Sequence, residues 1–294
     1  MRAPFCFPFR VSSCAALLAL MALAPAAGAA GLQPLNDAAL AAVRGRDGVS
    51  FDLAGFSMDG NARLTYTASP TQSSYVANMS ASRSDSANAF SDPYRLDIVS
   101  GAPGLADVVQ LAFPINANGE QRWQMTYDWG VNADGVARDG GSVLLKDAVF
   151  YGGGLQFSTP RLDDGVAFGL ALNVNVGQLS LQPNGRLDAG EQMGLRGIRL
   201  GGVDANGNFN NTPWVIADVA TQPAVINALS DASGPRLHIG IDWPDPRFGN
   251  GAAASGGLQV DNISFVSPGQ PSVDLGSSRI GSMQVQFLDI KFRR

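Results

Sequence analysis

Seven stretches of the chain alternate apolar and polar residues with a period of two: 49–53 (VSFDL), 63–68 (RLTYTA), 94–99 (YRLDIV), 122–129 (RWQMTYDW), 166–176 (VAFGLALNVNV), 236–243 (RLHIGIDW) and 283–292 (MQVQFLDIKF). Successive side chains of a strand point to opposite faces, so this spacing predicts half-buried β-strands. Asn-Gly and Asp-Gly pairs stand between the strands, in NANG (116–119), NADG (132–135), PNG (183–185) and DANG (204–207). These pairs tolerate positive φ and close tight hairpins. The expected fold class is all-β, built of antiparallel strands.

Only 31–46 reads as helix. Asn36 or Asp37 can cap it, Ala38 to Val43 are mostly good helix formers, and Gly45 suits a left-handed exit. Leu40 and Val43 share a face onto which Leu35 can pack. Two segments break the alternation. The run 69–92 is rich in Ser, Ala and Asn and is expected to be a long excursion, and 245–259 reads as a glycine-rich loop entering a strand.

The chain echoes itself. DGVSF at Asp47 recurs as DGVAF at Asp164, DPYRLDIVS around Pro93 as TPWVIADVA around Pro213, and RWQMTYDW as RLHIGIDW. VLLKDAVF, ending at Phe150, recurs as LQVDNISF, ending at Phe265. Four landmarks in one order at nearly one offset predict two tandem β units, 47–160 and 161–294. Two sandwich-like sheets, a solenoid-like stack or one continuous β domain are all compatible with that spacing.

Composition adds a compartment. Arg2 and Arg10 precede an apolar run, 11–24, and small residues follow at 25–30, the layout of an export signal over 1–30. The apolar run is shorter than the roughly 20 residues a membrane span needs. Both cysteines, Cys6 and Cys14, lie within that segment, so the exported chain is expected to fold without disulfides. Losing two arginines makes it more acidic than the −5 of the whole chain, which argues against nucleic acid as a partner.

Candidate chemistry is sparse. His238 is the single histidine and sits in an alternating strand, where it is expected to face outward in a surface or pairing role. Asp188 and Glu191, and Asp204, Asn206 and Asn208, are weak calcium candidates through their oxygens. Neither group has the twelve-residue loop spacing, and turn chemistry accounts for both. Asp163 and Asp164 are adjacent, whereas paired catalytic carboxylates must face each other across a cleft. Tyr94, Trp123, Tyr127, Trp129, Trp214 and Trp243 are candidates for a sugar-binding face or for core packing. The stretch 166–176 also matches a membrane-barrel strand, although charges interrupt other strands. No catalytic residue, cofactor or firm metal site is expected.

Leu35, Asp37, Leu40, Val43, Gly45, Asp47 and Gly48, placed directly after the leader, resemble the N-terminus of the FilA-like pilus-assembly proteins. Arg46 stands where that family more often has Gln. The resemblance implies a non-enzymatic protein of the cell envelope or surface, linked to fimbria-like assembly or adhesion and partnered by other envelope proteins. A glycan-binding module or hydrolase and an outer-membrane β-barrel are the alternative expectations.

Overall fold

The computed structural model describes residues 48–291, apart from 86–91, 105, 120, 232–233, 244 and 250. The expected leader, the helix and the motif residues Leu35 to Asp47 lie outside the described residues; Gly48 alone of that motif is described and is exposed. Every regular element described is a strand, and all pairs are antiparallel, as the alternating pattern predicts.

Two long strands, β8 (Val136–Ser158) and β9 (Val166–Gln182), pair along most of their length from Ser142↔Gln182 to Ser158↔Ala167. Four groups of strands attach to this ladder. Beside the first half of β8 lie β7 (Trp123–Ala133) and β4 (Gln72–Arg83), with β2 (Ser57–Asp59) and β3 (Arg63–Ser69) on β4. Beside its second half lie β6 (Val108–Ala112), β5 (Tyr94–Val99) and β1 (Val49–Phe51). On the far side of β9, its later residues pair with β10 (Gln192–Gly202), followed by β14 (Gly256–Val266) and β15 (Val273–Met283). Its earlier residues pair with β11 (Trp214–Ala217) and with β12 (Ala224–Asp231), which carries β13 (Gly234–Asp242) and β16 (Phe287–Lys291).

Turn chemistry sets these registers. Asp134 (φ 53°) and Gly135 (φ 80°) close a two-residue loop between Ala133 and Val136, the hairpin form in which both central residues take positive φ. At the middle of the central ladder, Gly153 (φ 93°) packs against the Ala171 carbonyl, where the β8 register shifts between Phe150 and Gly153. A β-bulge of this kind increases local twist and bends the strand.

The two faces of the sheet differ sharply. One rung of directly opposed residues runs Met58, Ala81, Met125, Leu145, Leu179, Leu195 and Ile263 across seven strands. The next runs Tyr127, Val143, Leu181, Met193, Phe265 and Val273. Intervening residues on the opposite face form the rung Asp59, Ser80, Thr126, Leu144, Ser180, Gly194, Ser264 and Asp274. One face of this half is therefore apolar and the other polar, and each opposed apolar pair contributes roughly 0.2–1 kcal/mol.

Beyond these rungs the apolar positions change phase together. They run Val143, Leu145, then Ala148, Phe150 in β8; Val174, Val176, then Leu179, Leu181 in β9; Met193, Leu195, then Ile198, Leu200 in β10; and Leu258, Val260, then Ile263, Phe265 in β14. In all four strands the step is three residues instead of two. At that rung Asp147 (φ 53°) and Gly197 (φ 60°) are left-handed, with Gly177 between them in β9. A left-handed residue interrupts the pleat as a bulge does, so residues three apart fall on one side and the apolar face continues past the break. Pairing is unchanged on either side: Lys146↔Gln178 and Ala148↔Val176 flank the break in one ladder, Arg196↔Gln178 and Ile198↔Val176 in the next.

Two sequence readings are revised. The expected excursion 69–92 contains β4, a twelve-residue strand paired on both edges. Its Ser and Asn residues lie mostly on the polar face and its Ala residues oppose bulky neighbours, so little apolar signal remains. The expected strand 283–292 divides, Met283 ending β15 and Phe287 opening β16. Of the echoed landmarks, β7 pairs with β4 and β8, and β13 with β12 and β16.

Gly153→Ala places a Cβ about 2.2 Å from the Ala171 carbonyl oxygen in a left-handed conformation. It is expected to destabilise the protein by about 2–4 kcal/mol. Gly185→Ala, left-handed but open to solvent, is expected to cost about 1–2 kcal/mol. Denaturant unfolding of the two variants side by side checks the difference.

Candidate functional site

Two features stand out, one on each face. The apolar rungs stay accessible: Leu64 is 72% exposed, Met125 44% and Trp129 41%, and Met58, Leu181, Phe265 and Val273 are also exposed. A groove on this face runs between Leu64, Tyr127, Trp129, Val143 and Leu181. Trp129 lies flat on the backbone of Gly140, where any side chain would strike its indole. The other half of the sheet repeats the theme, with rungs Val49, Leu96, Leu111, Leu155, Leu170 and Ile98, Val109, Phe157, Phe168, Ala224. Val49 and Ile98 are among its exposed members. Buried hydrophobic clusters are small by comparison, for example Ala217, Ala224 and Ile241 with Phe168 and Val285 packed against them.

The second feature is a cavity of about 420 Å³ over β12, β13 and β16. Register places Asn227 opposite His238, Val225 opposite Gly240 and Asp242 opposite Phe287, so these residues share the face beneath it. His238 pairs across the strands: its Nδ1 lies 2.8 Å from Asn227 Oδ1, and the ring rests over Gly240, where a Cβ would meet it. The segment after β13 supplies Trp243, Asp245, Arg247 and Phe248. Trp243 Nε1 donates to the Gly251 carbonyl.

Arg247 organises the rim. Its Nε donates to both Asp245 oxygens, and a terminal nitrogen reaches Asp163 Oδ1 at 2.9 Å, tying this segment to the β8–β9 connection. Hydrogen bonds from Arg247 hold the Asp245 carboxyl below the usual carboxylate range and outweigh its partial desolvation; the same contacts push Arg247 up. Asp163 and Asp245 thus face one guanidinium.

On the polar face Asp128 is a separate centre. Partial burial pushes its carboxyl up, but hydrogen bonds from Ser142, Asn78 and Arg186 prevail and hold it low. Arg186 also donates to the Asn78 carbonyl, which fastens the β9–β10 loop across β4 and β7.

The calcium candidates fall at opposite ends of β10, so the two groups do not meet. Asp188 Oδ1 accepts from the Gly190 amide, and Glu191 is near Asn184. Asp204 Oδ1 accepts from the amides of Asn208 and Asn206, and the Asn208 bond leads in lowering its carboxyl. Both are turns closed by their own backbone. Among the described residues no three His, Cys, Asp or Glu side chains gather as a metal site. The aromatic candidates also disperse: Trp123 donates to Tyr94 OH, Trp214 is buried and donates to the Ala254 carbonyl, and Trp243 alone reaches the cavity.

Residues 10–97 match a family of unknown function, DUF6160. That match ends within β5, before the β8–β9 ladder and every residue of the cavity, and it includes the motif residues Leu35 to Gly48. No curated protein matches the chain, and no solved structure does. Among the described residues no helix is long and apolar enough to cross a membrane, which leaves strands unaddressed.

The Arg247–Asp245 contact makes a pH-dependent contribution. A carboxyl whose folded pKa is depressed stabilises the fold above its unfolded value and loses that contribution as pH falls through the folded one. Arg247→Met is expected to lower stability at pH 7 by about 0.5–1 kcal/mol, the pair being partly exposed. The gap to the parent should close below the ordinary Asp value of about 3.9. Urea unfolding at pH 7 and in the acid range checks both the size and the direction.

Proposed function

We propose that this chain is a non-enzymatic protein exported to the cell envelope, where it works by assembly with other envelope or fimbria-like subunits through the apolar face of its sheet. The observation that carries this reading is the pair of apolar rungs from Met58 to Ile263 and Tyr127 to Val273, with exposed members on five strands: Met58, Met125, Leu181, Phe265 and Val273. Contiguous exposed apolar surface of this kind marks interaction sites. The rungs extend about 30 Å across the strands, at the usual spacing near 4.8 Å, which suits an interface of the standard size class. The leader-like arrangement of 1–30 supports export, and the resemblance over Leu35 to Gly48 supports a fimbria-linked setting. A hydrolase fits less well: the rim carboxylates Asp163 and Asp245 are both engaged by Arg247, whereas glycoside cleavage needs two carboxyls facing each other across the scissile bond.

A second reading is an outer-membrane barrel wall. The observation in its favour is the division into one mainly apolar and one mainly polar face, as in a wall between lipid and a wet lumen.

Fractionation of cells making the tagged chain, with protease added to intact cells, tests the proposal. The expected result is cleavage from outside and co-release with sheared surface material. Leu64→Lys combined with Leu181→Lys should abolish that co-release while the β-type circular dichroism of the purified protein is retained. A protected, freely soluble periplasmic protein would sink the proposal, and heat-modifiable migration in the membrane fraction would favour the barrel.

A further inference from the structure

From the cavity over β12, β13 and β16 we infer a binding site for a neutral saccharide, independent of the apolar face. Its volume, about 420 Å³, lies in the range of small-molecule sites.

Charge narrows the ligand class. Asp163 and Asp245 are each bonded to Arg247, and Asp242 adds a further carboxylate. Three carboxylates against one guanidinium leave the lining negative and oppose an anion. A neutral ligand meets no such penalty.

Polarity narrows it further. Gln222 stands in the cavity wall, is 2% exposed, and has no hydrogen-bond partner at either its amide nitrogen or its oxygen. Its backbone is spoken for, since its N–H and C=O exchange bonds with Asp218. A buried amide with both functions unused is costly and calls for a partner that donates and accepts at once. Hydroxyl groups do both, and those on adjacent carbons present the two roles side by side. The Asn227–His238 pair and Asp242 offer more such contacts from the strand floor. Trp243 and Phe287 supply apolar surface of the kind that packs on the C–H face of a sugar ring. Hydroxyls around an apolar ring face, with no net charge, describe a neutral saccharide.

The test is calorimetric titration of the full-length protein as purified with neutral di- to tetrasaccharides of the glucose, mannose, galactose and N-acetylglucosamine series, and with acidic oligosaccharides for comparison. We expect one neutral series to bind with a Kd of about 1 mM or tighter. Gln222→Leu and Asp242→Asn should each weaken binding at least about tenfold, a drop of about 1.4 kcal/mol. Gln222→Leu should keep or raise the unfolding midpoint, because it removes an amide that has no internal partner. Absence of binding to every neutral series, tighter binding of the acidic ones, unchanged binding in both variants, or a lowered midpoint for Gln222→Leu would each overturn the inference. Binding should persist in the Leu64→Lys, Leu181→Lys protein, which separates this site from the assembly face.

Discussion

The sheet depends on one antiparallel ladder. β8 and β9 pair from Ser142↔Gln182 to Ser158↔Ala167, and every other strand reaches the rest of the molecule through one of these two. Backbone hydrogen bonds, more than a large core, hold the arrangement together. The bulge at Gly153 must bend this ladder without breaking it, and the glycine is required because the Ala171 carbonyl occupies the space of a side chain. Four strand groups then fan out from the two long edges.

A sheet of this width with one apolar side is energetically incomplete. Two such faces normally pack against each other or against helices, about 10 Å apart. Here Leu64, Met125, Trp129 and Val49 remain open, while the opposite side carries Ser80, Thr126 and Ser180 and is cross-linked by Arg186 and Asp128. The two sides accordingly differ: one leaves apolar side chains open, and the other is finished by its own polar contacts and holds the cavity.

Much of the fold was legible from alternation. Strands at 49–53, 63–68, 94–99, 122–129 and 166–176 all appear, and Asp134-Gly135 closes the hairpin its residue types imply. β4 was missed because its larger apolar residues, Tyr75, Val76 and Met79, do not alternate and its register shifts between Ala77 and Ser80, so no period of two emerges. The phase change was also readable in principle, since VLLKDAVF, VNVGQLSL, MGLRGIRL and LQVDNISF all space their apolar residues by two, three and two. The echo between the first and last of these segments reflects, at least in part, this shared geometric duty. The cavity was not legible. It joins Asp163, Gln222, His238, Arg247 and Phe287, residues united only by strand register and by the fold of the segment after β13.

The shared phase change also constrains how such a chain can vary over time. Away from glycines such as Gly153 and Gly197, where a Cβ would collide with the next strand, side chains along β8, β9, β10 and β14 can be exchanged for others of like polarity with small effect. Adding or deleting a single residue in one of these strands is different, because it inverts that strand's faces relative to its neighbours on one side of the break. Strand length is therefore a collective property of the four, and drift should appear as substitutions within them and as insertions confined to the connecting loops.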